Sequence, residues 1–342
     1  MAVERKRVGF IDIFRAFGII LMVMGHIKFG EAFDKWIHAF HMPMFFFISG
    51  WFYGRNESIP IKNQLRKKIR FLIIPYFVFS IIEILLLLPI FPEYRTLSML
   101  NYIFFNTTTY VYVSNTFFGI SPVPGALWFL TALFFAEVIY LILDYLFDKT
   151  WKLDVAVIAL AILGMLANQI FPFRLPWSLD AAFVGIGFFH MAKVIKGTKI
   201  EKVFKLKNWQ ALVVGIVISL SIMLCPKVNM RTGSYGWFVP FWINAFGAIV
   251  AGWNLSRCIE WFLLRNGVFK TADAWLKGIG QNSIVYLCMN QIVILFIAKF
   301  MNLIGFGGMI AKILILIITM AILFVFEKLI CNTKLKVMVG KQ

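Results

Sequence analysis

The chain has 342 residues, 61% of them hydrophobic and only 15% charged, with a mean hydropathy of +0.83. A soluble domain of this size is excluded; a polytopic helical membrane protein is implied. The net charge of +18 does not point to nucleic acid, because Lys and Arg gather in alternate loops, as cytoplasmic loops beside anionic lipid do.

Ten transmembrane segments are predicted, near 10–28, 38–54, 71–90, 125–147, 153–170, 179–195, 208–224, 237–260, 282–300 and 308–330. The first follows Arg5-Lys6-Arg7, is long and lacks a small-residue cleavage site, so it reads as a retained span. Inner segments then hold Arg55 to Arg70, Lys149 and Lys152, Lys193 to Lys207, Arg265 to Lys277 and Lys334 to Lys341. Outer segments hold few cations: Lys28, Lys35, Arg95, Arg174, Lys227 and Arg231. This asymmetry places both termini in the cytoplasm of an all-α, single-domain membrane protein covering 1–342. Residues 91–124 form a long outer loop rich in Thr, Ser, Asn, Tyr and Phe, suited either to a saccharide or to the membrane interface. Cys225, Cys258, Cys288 and Cys331 lack metal-ligand spacing and read as small buried hydrophobes.

Ionisable side chains within apolar segments are costly and mark function by default. Here they are Asp12, Arg15, His26, His41, Glu83, Glu137, Asp180, His190 and Glu327. Several have ordinary explanations: Glu327 beside Lys328 can snorkel, His190 can bond a backbone carbonyl, and Glu83 can pair within the bundle. Arg15 and His26 stand apart. They are eleven residues apart, hence on one helix face and ~16 Å apart along the axis. A single tunnel holding a long ligand with an anionic head is the expectation, Asp12 orienting Arg15 and His26 meeting the reactive end. His38 and His41 lie one turn apart before Pro43, but no Cys, Asp or Glu nearby completes a metal site, so none is expected. Arg66, Lys67, Lys68 and Arg70 concentrate four cations at a membrane boundary, suited to phosphates or lipid headgroups alike.

The Asp12-x-x-Arg15…His26 helix followed by FHMPMFFFISG resembles the membrane-bound acyltransferase-3 family, in particular its fucose 4-O-acetylase-like branch. The basic run before FLIIPY, ALWFLTALFF, LPWSLDAAFVGIGFF and IGQNSIVYL agree, so the resemblance spans nearly the whole chain. It implies transfer of an acyl group, commonly acetyl from acetyl-coenzyme A, to a sugar hydroxyl of a surface polysaccharide or lipid-linked glycan in the bacterial cytoplasmic membrane. No permanently bound cofactor is implied; the partners are membrane lipids, acyl-CoA and the glycan acceptor.

By the same resemblance His26 is catalytic, with Asp12 and His41 as further catalytic candidates; Arg15, Arg66, Lys67 and Arg70 hold the donor; Trp128, Trp177 and Asp180 meet the acceptor. The chain departs from the family in having Asn290 where relatives often carry histidine. His26 could serve as general base or as covalent acyl carrier, and the sequence leaves both open. A glycan transporter with charges lining a path is the alternative function, though no inverted repeat is visible; a non-catalytic scaffold accounts poorly for the Arg15/His26 pair.

Overall fold

The computed structural model describes residues 8–341 apart from 56, 88–108, 114–115, 121–124, 148, 172–173 and 266–268. Most of the outer loop at 91–124 therefore lies outside the described residues, as does any saccharide-facing role for it. What is described there is a hairpin of β1 (Thr109–Val113) and β2 (Thr116–Ile120), paired antiparallel.

The rest is helical. α1 (Gly9–Ile27) sits at the centre and ends where Lys28 turns into the left-handed region at φ 61°. α2 (Glu31–His38) is short and amphipathic, and α3 (His41–Trp51) is short and almost wholly buried. Pro43 falls in the first turn of α3, where a missing N–H costs no intrahelical bond. α4 (Ile61–Lys68) runs through a π-helical turn, Ile69–Ile73, into α5 (Ile74–Leu87). Pro75 just beyond that turn cannot donate to the preceding turn, and a π bulge is one way a helix absorbs such a break. Then come α6 (Trp128–Leu146), α7 (Thr150–Ile170), α8 (Leu179–Ile195), α9 (Asn208–Leu224), α10 (Phe238–Arg265), α11 (Lys270–Gln281), α12 (Ser283–Leu303) and α13 (Gly308–Cys331).

Among the described residues eight helices are long and apolar enough to cross a membrane, or nine if the segment Lys199–Lys205 and α9, bent by 95°, form one span. The expected count of ten is corrected chiefly at 38–54. That stretch is read from its apolarity as a span, yet helix persists for only 11 residues because the chain breaks at Ala39–Phe40 and again after Trp51. At ~1.5 Å per residue α3 covers about 16 Å, half a hydrocarbon core.

α1 packs on α10, α11 and α12, and also touches α2, α3 and α13, while α8 packs against α3, α6 and α7. Two glycines set these distances. A Cβ on Gly50 of α3 would lie 2.0 Å from the Phe189 carbonyl oxygen of α8, and one on Gly280 of α11 would lie 1.9 Å from the Asp12 carbonyl oxygen of α1. Both contacts are to backbone, so neither neighbour can rotate aside. The aromatic core runs along α3: Phe46 meets Phe129, and Phe47 and Trp51 meet Phe204.

Candidate active site

Two cavities lie along α3, one towards each end, and the second also borders α1. The larger, of about 520 Å³, is lined by Ser49, Phe52, Tyr53, Lys67, Lys68 and Glu137 among others. The second, of about 310 Å³, is lined by His26, His38, His41, Trp128, Arg231 and Gln291 among others. No residue lines both. Ser49 and Met42 line opposite cavities from the same helix seven residues apart, which separates them by about 10 Å. Phe45, Phe46 and Phe129 pack between, with ring centroids 5.2 to 5.7 Å apart. The single tunnel expected from the Arg15/His26 stripe is therefore corrected to two chambers divided by a packed apolar layer.

At the His26 end, three imidazoles share one wall. His41 Nδ1 donates to the Ile37 carbonyl at 2.8 Å, and His38 Nδ1 donates to the Asp34 carbonyl at 2.7 Å. Their ring centroids lie 5.2 Å apart, nearly perpendicular. Gln291 of α12 bridges from the other side: its Oε1 accepts from the Ala126 N–H at 3.1 Å, and its Nε2 lies 2.8 Å from His26 Nδ1. Asp34 is tied to Lys227 at 2.9 Å. Among the described residues no three His, Cys, Asp or Glu side chains form a metal-binding group.

At the Lys67 end, Lys68 pairs with Glu137 at 2.7 Å, and Lys67 lines the chamber from the exposed face of α4. Arg15 does not line this cavity but lies over the ring of Phe52, which does, at 5.5 Å. Asp12 is buried and tied to Arg15 at 3.4 Å and to Gln281 Nε2 at 3.1 Å. It lies fourteen residues from His26 along α1, about 21 Å away. Asp12 thus anchors Arg15 and α11, and the structure does not bring it to His26. Burial, and then the hydrogen bond to Asp144 at 2.9 Å, push the Tyr53 phenol above its usual range, leaving a neutral donor at the chamber wall.

The remaining predicted residues scatter. Trp128 lines the His26 cavity. Arg66 is exposed on α4, and Arg70, in the π turn, lines neither chamber. Trp177 stacks on Phe135 at 5.4 Å, away from both. Asp180 is buried and pairs with Arg174 at 2.7 Å, and Arg174 in turn donates to the Met230 carbonyl. Since Arg231 follows Met230 and lines the cavity, Asp180 reaches the site only by holding the loop that carries Arg231.

Three secondary expectations change. Glu327 does not snorkel: it is buried and accepts from Asn282 at 2.7 Å and Tyr286 at 3.1 Å. His190 bonds side chains, Tyr140 at 2.9 Å and Asp154 at 3.0 Å, rather than a backbone carbonyl. Both Glu83 carboxyl oxygens are buried without a hydrogen-bond partner among the described residues. Gln291 and Arg231 are the site residues that sequence reading missed. Asn290, the departure from the family's histidine, bonds its own helix at the Tyr286 and Leu287 carbonyls, and it is the next residue that turns toward His26. An amide in an apolar segment was the available signal.

The model of the acyltransferase-3 family, described as an acyltransferase domain, matches residues 8–328. The chain belongs to the acyltransferase-3 family. No curated protein and no solved structure matches it. As a member of that family with at least eight candidate spans, it is a multi-pass membrane acyltransferase.

Proposed function

We propose that the protein is an O-acyltransferase of a bacterial cell membrane, of the fucose 4-O-acetylase-like kind, moving an acetyl group from acetyl-coenzyme A to a sugar hydroxyl of a surface polysaccharide or lipid-linked glycan. The observation that carries this reading is the pairing of the two chambers: cations at one end of α3, imidazoles at the other. The Lys67 chamber then faces the cytoplasm, where its ammonium groups meet the donor's phosphates. The His26 chamber faces outward, where a hydroxyl must lose its proton as it attacks a thioester, a task suited to imidazole near neutral pH. Arg15, over the Phe52 ring at the chamber wall, guides the donor's arm, and Trp128 offers the acceptor a stacking face. The Phe45/Phe46/Phe129 layer must open for the arm to pass.

Separate chambers on two sides of a packed layer also suit a transporter that alternates between faces, and this is the second reading. Glycan mass spectrometry and proton NMR in cells with and without the intact chain separate the two. A glycan heavier by one acetyl group per modified sugar only when the chain is present supports acyl transfer. Glycan flux into membrane vesicles lacking acetyl-coenzyme A, with no mass change, defeats it.

A further inference from the structure

The His26 chamber lies on the side of the molecule where the sequence has few cations, yet cations line it. Of the outer cations read from the sequence, Arg95 lies outside the described residues. Three others are engaged by protein groups. Lys35 donates to the Met223 carbonyl at 2.7 Å, Lys227 pairs with Asp34 at 2.9 Å, and Arg174 pairs with Asp180 at 2.7 Å. The remaining two, Lys28 and Arg231, both line the His26 cavity. Positive charge on outer segments runs against the usual bias of membrane proteins, so two cations on one small chamber call for a reason within the chamber.

Each is placed there deliberately by the fold. Lys28 ends α1 at φ 61°, a left-handed position that helices ordinarily fill with glycine or asparagine. Its N–H donates to the Met24 carbonyl at 3.1 Å, and its carbonyl accepts from Lys312 at 2.7 Å. Glycine would make the same turn without strain but would bring no ammonium to the cavity. That ammonium makes no hydrogen bond or ion pair among the described residues. Arg231 rides on a loop fixed on both sides. Its N–H donates to Asn229 Oδ1 at 3.0 Å, and Asn229 and Ser234 exchange backbone hydrogen bonds at 2.7 and 3.0 Å. Asn168 of α7 donates to the Thr232 carbonyl at 2.7 Å, and Arg174 to the Met230 carbonyl at 3.3 Å. Among the described residues Asp34 is the one acid on the cavity wall, and it is tied to Lys227. Two cations and three imidazoles thus stand against a single carboxylate. The donor's phosphates do not account for this charge, because on the reading above they are met in the Lys67 chamber, beyond the Phe45/Phe46/Phe129 layer.

We propose that the acceptor is an acidic sugar, whose carboxylate or phosphate group is held in the His26 chamber by the Arg231 guanidinium and the Lys28 ammonium. This rests on the acyl-transfer reading and names the acceptor class within it. A guanidinium presents paired N–H donors that match two oxygens of a carboxylate or phosphate. One such charge-assisted contact is worth about tenfold or more in affinity. At about 310 Å³ the chamber is at the small end of ligand pockets, roughly 300–1,000 Å³, so it takes one saccharide unit rather than a long chain.

The test measures binding apart from turnover. Full-length protein in an uncharged detergent is titrated with methyl glucuronide, with methyl glucoside as its neutral counterpart, and with a glucosyl phosphate, each followed by ligand-observed NMR. The expected result is a Kd at least about tenfold lower for one of the two acids than for the glucoside. Tighter glucuronide identifies a carboxylate-bearing glycan, and tighter glucosyl phosphate a phosphate-linked one. In Arg231→Gln the acid-to-neutral ratio should fall to about one, with the melting temperature followed in parallel. Lys28→Asn suits the left-handed position and lies at an exposed site, so folding is not at stake; there the ratio should fall about threefold. Equal Kd values for acidic and neutral sugars, no detectable binding of either acid, or a ratio that survives both substitutions overturns the proposal. Vesicles from glycan-producing cells, supplied with acetyl-labelled acetyl-coenzyme A, test the underlying reading separately. Acid-selective binding without label in the glycan removes acyl transfer and leaves the anion site standing; label without acid-selective binding does the reverse.

Discussion

The two chambers differ in how they are built, and the difference separates binding from chemistry. The Lys67 chamber is wide and lined from helix ends and a loop, with its charges on long side chains that are partly solvated, such as Lys68 and Glu137, each about one-fifth exposed. Such groups attract a charged ligand without fixing it to a fraction of an ångström. The His26 chamber is smaller, and each of its imidazoles is held by a backbone carbonyl or by an amide that is itself tied to backbone. Fixed rings suit proton transfer, where a displacement of about 1 Å can cost as much as 10²-fold. One end of α3 gathers; the other end aims.

Substitutions at each end should therefore fail in different kinetic constants. The largest effect is expected for His26→Ala, which removes the imidazole without filling its place: glycan O-acetylation measured by proton NMR should fall by about 10²-fold or more, with the protein still inserted and folded. Lys67→Glu should instead raise KM for acetyl-coenzyme A about tenfold, as expected for loss of a charge-assisted contact of roughly 1.5–3 kcal/mol, and leave kcat within about twofold. A fall in kcat with KM unchanged would erase the distinction between the chambers. Asp180→Asn sharpens it from the side. Weakening the pair with Arg174 loosens the Met230–Arg231 loop, so KM for the acceptor should rise about threefold, on the scale of a few tenths to 1 kcal/mol, while KM for the donor holds.

The smallest effect is expected far from both chambers, at Lys277. Its ammonium is tied to Glu260 and Asp273, each at 2.9 Å. Burial lowers its pKa, but those two hydrogen bonds outweigh burial and hold it above the ordinary lysine value of 10.5. A raised folded-state value means the stabilisation is complete below 10.5 and fades as pH rises through the folded value. The melting-temperature gap between wild type and Lys277→Met in detergent should thus persist at about pH 8 and shrink by about pH 11. The pH-independence of that gap would rule out the ion pairs as its source.

How far the sequence reached can be traced residue by residue. Apolar runs located nearly every long helix to within a few residues, because in a bilayer the length and hydrophobicity of a segment decide whether it spans. It failed at 38–54, where apolarity is equally high but buries a short helix among other helices instead of against lipid; hydropathy cannot tell those two environments apart. His26, His41 and Trp128, grouped by their resemblance to the family's motifs, line one cavity. Arg66, Trp177 and Asp180, matched to family motifs in the same way, line neither cavity, because a motif match is local and does not fix which way a side chain faces.

The sequence alone determined that this is a helical membrane protein of the acyltransferase-3 family with an arginine and a histidine on one face of its first helix, because composition, hydropathy and short motifs are local properties of the chain. Tertiary structure decided that there are two chambers rather than one, only one of them on that face, that Asp12 braces a helix contact, and that Gln291, 265 residues from His26 in the chain, contacts its ring. Those outcomes depend on which helices touch, and packing between segments so distant in the chain leaves no periodicity to read.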